Sequence, residues 1–381
     1  MKTMNRRVFG KKMIKGVAAG GVLMGLPLSC AFGEAKKDTK KLGVALVGLG
    51  SYSAGQLAPA LQHTNHCYLA GIVTGTPAKE TRWANQYGIP EKNIYNYENF
   101  DTIADNKDID IVYVVLPNSM HAEFSIRAAK AGKHVICEKP MAINVEECDA
   151  IIQACEEAGI KLSVGYRLQS EPYTQQVQQW VAKQTFGATQ QVDAAAAYVS
   201  RGYPDQWRLN KALSGGGALM NMGVYAIQGA IYGTGANPIA VSAREESTRP
   251  DYFKDTDETV YANFVFPDGA QGQIFTSHNA SASTLDVQCI DGFIQLDPAY
   301  TYGPLAGKSS KGPMTFPHDS QQKLQMDDFA LHIKEGAINQ APGAMGKRDM
   351  IIIEAIYRSI AEDGKTIPLD LGTMGLGGPN Q

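Results

Sequence analysis

Gly48-Leu49-Gly50-Ser51-Tyr52-Ser53 joins a short apolar run to a helix-like segment, with the glycine spacing of a dinucleotide-binding turn. Gly48 permits the tight turn, and Gly50 lets the backbone approach a pyrophosphate at the helix N-terminus. Ser51 and Tyr52 complete the loop over that phosphate site. Ser53 stands where the full G-x-G-x-x-G pattern has its third glycine, and is small enough for close helix–strand packing. The signal gains weight from its place at the start of an alternating domain. The next strand ends Ile72-Val73-Thr74-Gly75-Thr76-Pro77-Ala78-Lys79. A site for NAD usually offers an Asp or Glu there to the ribose 2′-hydroxyl, and none is present. Thr74 and Thr76 can hydrogen-bond a 2′-phosphate, which Lys79 and Arg82 can neutralise. These residues favour NADP over NAD, although Lys79 and Arg82 also read as the solvated face of a helix.

Cys137-Glu138-Lys139-Pro140 follows another short apolar run. In doubly wound sheets ligands bind at the carboxyl ends of strands, and Lys139 stands at such an end. A lysine there can orient a hydroxyl and lower a neighbour's pKa. Taken alone, it reads equally well as a surface turn lysine. Tyr225 is a candidate proton-transfer group. A free phenol has a pKa of about 10, too high for a good base at neutral pH. A nearby ammonium and a positive nicotinamide ring would both lower it. Its apolar helical setting, on its own, favours an ordinary core tyrosine.

The elements that must position these groups alternate along the first part of the chain. Strand patterns cover Gly43–Gly48, Tyr68–Thr74, Ile109–Leu116, His134–Cys137 and Lys161–Tyr166. Helical patterns cover Ala54–His63, Lys79–Tyr87, Ala122–Ala131 and Val145–Ala158. This alternation predicts a parallel, doubly wound α/β sheet of the Rossmann type over 43–166. From 167 to 370 the pattern changes to an α+β domain with an open, mostly antiparallel sheet. Its strands are expected at Gln190–Val199, Ile239–Glu245, Thr259–Phe266, Gln271–Ser277 and Leu285–Leu296, with Asp268-Gly269 as a hairpin turn. Helices are expected at Tyr173–Lys183, Ala218–Tyr232, Met326–Glu335 and Asp349–Ala361. Residues 371–381 form a tail.

Residues 1–31 read as an export signal rather than as fold. Lys2, Arg6, Arg7, Lys11, Lys12 and Lys15 precede an apolar run, Gly16–Leu28, too short to span a bilayer. The paired arginines followed by Phe9 and Lys11 point to twin-arginine export of a folded protein to the periplasm. Ser29-Cys30-Ala31 reads as a small-x-small cleavage site; the alternative is Leu28-Ser29-Cys30 as a lipobox with Cys30 acylated, against which Pro27 stands where a lipobox usually has Leu. Residues 32–42 form a linker. Net charge is −3, and nothing points to nucleic acid. Cys67, Cys137, Cys148, Cys155 and Cys289 are odd in number, lack metal-ligand spacing, and read as buried free thiols. No metal site is expected.

Longer colinear runs carry a resemblance. These are Leu116-Pro-Asn-Ser-Met-His-Ala-Glu-Phe124, Ala131-Gly-Lys-His134, Cys137-Glu-Lys-Pro-Met-Ala142 and Gly165-Tyr-Arg167. They continue in Gln206-Trp-Arg-Leu209, Gly215-Gly-Gly-Ala-Leu-Met220 and Gly223-Val-Tyr225. From about residue 43 to about 368 the chain resembles the glucose–fructose oxidoreductase, inositol dehydrogenase and rhizopine-catabolism (Gfo/Idh/MocA) family. It most resembles the glucose–fructose oxidoreductase branch. The resemblance implies that Lys139 is the active-site lysine and Tyr225 the proton-transferring residue. It places Leu116, Pro117, Asn118, His121, Glu138 and Arg167 around the cofactor. Trp207 and Arg208 would approach from the second domain, and Asn221 would meet substrate with Lys139 and Tyr225. Relatives usually carry Asp at the place of Asn221, so charge is lost there while hydrogen bonding is kept. The segment Ala31–Lys41 is short where the branch has a longer arm over the cofactor.

The expected activity is a ping-pong transfer, in which bound NADP takes a hydride from an aldose and passes it to a second sugar, such as a ketose. Export supports a retained cofactor, since none is recycled outside the cytoplasm. Alternatives are an exported glycosidase acting by transient oxidation, a non-catalytic sugar-binding protein, and a dehydrogenase using free NADP. Besides sugars and the export machinery, a homo-oligomer is expected, because open-faced sheets pair.

Overall fold

The computed structural model describes residues 40–201 and 206–376. The export signal, its cleavage point, Cys30 and the end of the tail lie outside the described residues. The first sheet contains β1 (Leu42–Val47), β2 (Cys67–Val73), β3 (Ile94–Tyr95), β4 (Ile111–Val114), β5 (His134–Cys137) and β6 (Leu162–Val164). Their order is β3-β2-β1-β4-β5-β6, and every pair is parallel. Helices cover both faces, so β4 is buried along its whole length and reads as an unbroken apolar run. The strand order reverses between β1 and β4, which opens a crevice at their carboxyl ends. The glycine turn leaves β1, Leu116-Pro117-Asn118 leaves β4, and Glu138-Lys139 leaves β5, all at that edge. β3 was not expected; at two residues it is too short to show a period.

The second sheet holds β7 (Thr189–Ala197), β8 (Ala240–Glu246), β9 (Thr259–Val265), β10 (Gln271–Ser277), β11 (Ala282–Cys289) and β12 (Gly292–Leu296). Three short strands extend it: β13 (Gly307–Ser309), β14 (Gly312–Met314) and β15 (Ile367–Pro368). The order is β14-β13-β12-β11-β7-β10-β9-β8-β15. Only β7 and β10 pair in parallel, so the mostly antiparallel expectation holds. One expected strand is corrected. Leu285–Leu296 is part of a hairpin, with Cys289 paired to Gly292 across Ile290-Asp291. The apolar neighbours Ile290 and Phe293 hid this turn in the sequence. Asp268-Gly269 does turn between β9 and β10. One sheet face packs on the helix Val224–Thr234, which is buried nearly all round. The five cysteines are free thiols, and all but Cys289 are buried.

After the second sheet the chain returns to the first. The helix Gln321–Glu335 starts at Ser320, whose hydroxyl accepts from Lys323 N–H, and ends at Gly336. Met326, Phe329 and Ala330 pack with Val44, Leu46, Leu57 and Ile111, under the glycine turn. Asp327 fixes the approach: its carboxylate accepts from the N–H of Asn65 and of His66 at 2.8–3.0 Å. Asp327→Ala removes the charged acceptor shared by both half-exposed donors, a cost of about 1.5–3 kcal/mol. The expected outcome is a lower denaturant midpoint with an unchanged slope, and a smaller loss in Asp327→Asn.

Candidate active site

A cleft of about 1240 Å³ is lined by the loops after β1, β4 and β5 and by residues of the second sheet region. The glycine turn forms one end. Gly48 has φ +93°, and a Cβ there would lie 2.5 Å from the Val115 carbonyl oxygen. At Gly50 a Cβ would meet no atom within 4 Å, so bare backbone faces the cleft, with Ser51 and Tyr52 beside it. Ser53 does more than fit: its buried hydroxyl donates to the Gly48 carbonyl at 2.6 Å and closes the turn. This bare, positively curved backbone at a helix start suits a diphosphate. Further along, Thr74, Thr76, Lys79 and Tyr97 line the cleft. The Thr74 hydroxyl already accepts from Thr76 N–H at 3.3 Å. Arg82 is exposed and lies outside the lining, so the structure does not bring it to this end.

At the other end Glu138 and Lys139 leave β5. The Tyr113 hydroxyl donates to Glu138 at 2.7 Å and accepts from Gln325 at 2.8 Å. The Lys139 ammonium donates to the Asn221 carbonyl at 2.6 Å, and lies 4.7 Å from the centre of the Tyr225 ring. Burial disfavours both charges: it pushes the Glu138 carboxyl up, and the Lys139 ammonium down from 10.5 to about 7. Tyr225 is also buried, which raises its phenol, while the adjacent Arg167 guanidinium opposes the rise. Leu116, Pro117 and Asn118 form the wall from β4. The Asn118 amide donates to the Ser214 carbonyl at 2.8 Å and ties that wall to the second domain. His121 reaches the lining, but its ring nitrogens face the Pro140 and Leu116 carbonyls, each at 2.9 Å. It braces the Lys139–Pro140 turn. Trp207 and Arg208 enter from the second domain, with the guanidinium 4.4 Å from the indole centre.

Asn221 is explained by its neighbours. Its amide N–H groups donate to the Tyr198 hydroxyl and to His278 Nε2, both at 3.1 Å. Burial holds His278 down at about 4, so the ring is neutral and can accept. An aspartate would offer acceptors where the imidazole also accepts; the amide matches the uncharged ring.

Several lining residues were not anticipated. Tyr300 and Tyr302 come from a Tyr-Thr-Tyr loop between Pro298 and Pro304, a cue visible only as an aromatic loop. Asp257 leaves no motif. Its carboxylate accepts from the N–H of Gly217 and of Leu219 at 2.7 Å and from the Tyr357 hydroxyl at 2.6 Å. A Cβ at Gly217 would lie 1.9 Å from the Asp257 carbonyl oxygen, so only glycine allows this approach. The contact anchors the segment that leads into Asn221 and Tyr225.

Lys139 links this site to stability. The unfolded lysine holds its proton to about 10.5, the folded one only to about 7. The unfolded state therefore binds more protons between these values, and wild-type stability rises with pH there. Lys139→Met lacks this dependence. Thermal melts across the range should show its stability relative to wild type highest near pH 7 or below and falling as pH approaches 10.5; a constant difference would contradict the burial argument.

Comparison with known proteins follows this geometry. A family model described as "Oxidoreductase family, NAD-binding Rossmann fold" matches residues 42–166. A second, the GFO/IDH/MocA C-terminal domain, matches 174–295. The chain is 27% identical over 337 residues to D-xylose 1-dehydrogenase (NADP(+)) of Haloarcula marismortui, covering 86% of this chain and 92% of that one. The crystal structure of aldose-aldose oxidoreductase from Caulobacter crescentus, complexed with glycerol, superposes with a TM-score of 0.84 at 38% identity, covering 87% of this chain and all of that one (100%). Levoglucosan dehydrogenase in complex with NADH and levoglucosan shares the fold at a TM-score of 0.74 and 22% identity, over 86% of this chain and 99% of that one. Matched in both of its domains, the chain belongs to the Gfo/Idh/MocA family of NAD(P)-dependent oxidoreductases.

Proposed function

We propose that this protein is an exported sugar oxidoreductase that oxidises an aldose to its lactone and passes the hydride to a second sugar in the same cleft. The carrying observation is the meeting of three parts in that cleft: the dinucleotide turn, the Lys139 ammonium, and the Tyr225 ring 4.7 Å from it. The similarity to the aldose-aldose oxidoreductase of Caulobacter crescentus supports a second aldose as acceptor, in place of the ketose expected from sequence. A bound nicotinamide supplies the hydride acceptor for one half-reaction and the donor for the other. Gly48, Gly50, Ser51 and Tyr52 would hold its diphosphate, and Thr74, Thr76 and Lys79 its adenosine end. The NADP(+) of the Haloarcula relative and the absence of an acid on β2's end support NADP. Tyr225 takes the sugar hydroxyl proton and later returns it. Lys139, held by the Asn221 carbonyl, hydrogen-bonds the same hydroxyl and stabilises the charge that develops. Asn118, tied to Ser214, keeps the β4 wall in place against the second domain.

The export signal supports a periplasmic site of action with the cofactor carried out in bound form. The outer face of the second sheet supports a homo-oligomer. There Tyr261 and Phe275 pair across strands, and Arg244 lies 3.9 Å from the Tyr261 ring centre.

Absorbance and fluorescence spectra of the purified protein, before and after an aldose, test the reading. The expected result is a retained nicotinamide that is reduced by the aldose and reoxidised by a second sugar. Bound cofactor with release of free sugar from a glycoside would replace it by the glycosidase reading, and no retained cofactor would overturn the closed cycle. Tyr225→Phe should lower kcat by about 10²–10⁴-fold while the cofactor stays bound.

A further inference from the structure

Arg167 sits on the cleft floor and is 3% exposed. A buried guanidinium is costly unless a charge compensates it. Elsewhere in the fold that charge is a carboxylate. Buried Arg348 pairs with Asp349 at 2.7 Å, and Arg249 with Glu258 at 2.8 Å. Among the described residues no carboxylate lies within ion-pair distance of Arg167. One terminal nitrogen donates to the Tyr300 carbonyl at 2.7 Å. The other donates to the Thr301 carbonyl at 3.0 Å and to the Gln321 side chain. Its Nε, also buried, has no partner.

Phenols surround the group instead. The guanidinium carbon lies 5.0 Å from the centre of the Tyr225 ring and 4.6 Å from that of Tyr302. Tyr302 in turn stacks with Tyr52 at 6.0 Å. Glu138 and Glu171 are within electrostatic reach, but their carboxylates are engaged by Tyr113 and by Thr174 N–H. Tyr225 itself faces Arg167, Lys139, Glu138, Tyr52, Tyr302 and the Tyr300 ring at 6.3 Å. Of its two cations, Lys139 loses charge readily through burial. Arg167 keeps its charge at any working pH.

We infer that Arg167 is the counter-cation of the Tyr225 phenolate, a positioning residue that holds the site's negative charge between one turnover and the next. The inference rests on the sugar oxidoreductase reading. In the oxidising half, the sugar O–H bond breaks and its proton goes to the Tyr225 oxygen, while the C–H bond breaks and its electron pair leaves as hydride to an oxidised nicotinamide. The reducing half returns both to the second sugar. The phenol is thereby a phenolate again, and it must stay ionised until the next donor arrives, beside a lysine that burial pushes towards its neutral form. A fixed guanidinium under the ring meets that need.

The test is a pH titration of the phenolate band in the near ultraviolet, on the protein as purified. The chain has 17 tyrosines, so the Tyr225→Phe protein is subtracted to isolate one. The expected result is a Tyr225-dependent step in wild type that moves up by about 1–3 pH units in Arg167→Met, or beyond the range the fold survives. Arg167→Lys should restore part of the shift, and serves if the methionine variant does not fold. A step unmoved in both variants, or no Tyr225-dependent step in wild type, overturns the inference. A purely structural Arg167 would lower thermal stability and leave the step in place. Since the titration needs no turnover, a shifted step in a protein that oxidises no sugar would refute the proposed function and leave the ion pair standing.

Discussion

One half-buried hydrogen bond joins the two halves of this site. Lys139 stands at the end of a strand in the first sheet, and its ammonium donates to the Asn221 carbonyl of the second domain at 2.6 Å. Both partners are half-buried, and the donor is charged, so the bond is stronger than one between neutral groups. The same lysine lies against the Tyr225 ring. The position of the proposed proton-transfer pair is therefore set by how the domains meet, not by either domain alone. Other contacts across that boundary serve the same end. Asn118 bonds to Ser214, and Arg167 binds the Tyr300 and Thr301 carbonyls. The returning helix Gln321–Glu335 places Gln325 on Tyr113, which steadies Glu138.

Behind the pair lies a second layer of restraint. Tyr225 follows a π turn, Leu219–Gly223, which carries Asn221. An irregular turn of this kind needs outside support. Asp257 provides it by receiving two backbone N–H groups and one phenol at 2.6–2.7 Å. The His121 ring gives comparable support to the Lys139–Pro140 turn, between two carbonyls. Neither side chain needs to touch a substrate to matter, because a displacement of about 1 Å at the reacting groups is costly.

Local signals were legible in the sequence, and long-range ones were not. The alternation of apolar strands and helices gave the parallel sheet, because burial on both faces leaves an unbroken run such as Ile111–Val114. The glycine turn and the Glu-Lys-Pro turn were visible because the close backbone approach and the strand end constrain adjacent residues. Arg82 misled, since a helix one turn past Lys79 points its side chain to solvent. Asp257, Tyr300 and Tyr302 stayed hidden. Their partners are distant in sequence: Asp257 and Tyr357 are 100 positions apart. The role of Arg167 was read as cofactor contact, and its aromatic surroundings emerged only in three dimensions. The hairpin at Ile290-Asp291 was lost because apolar neighbours outweighed a two-residue turn signal.

The charge pattern of the cleft sets limits on what it handles. Lys79, Lys139, Arg167 and Arg208 face it; of the two carboxylates of its lining, Asp297 and Glu138, the one beside Lys139 is Glu138. Burial pushes that carboxyl towards its neutral form. Where an acid would balance the cations, the chain has Asn221 beside an uncharged His278. An aspartate at this place would draw a proton onto His278 and add an ion pair next to the reacting groups. The amide avoids both, and leaves the cation excess intact. A neutral sugar brings no negative charge to meet that excess at this end of the cleft. The group there that can supply it is the phenol of Tyr225, lying between the ammonium of one domain and the guanidinium at the boundary. The loss of charge at Asn221 and the lone cation at Arg167 are then two sides of one arrangement around Tyr225, the proposed proton carrier.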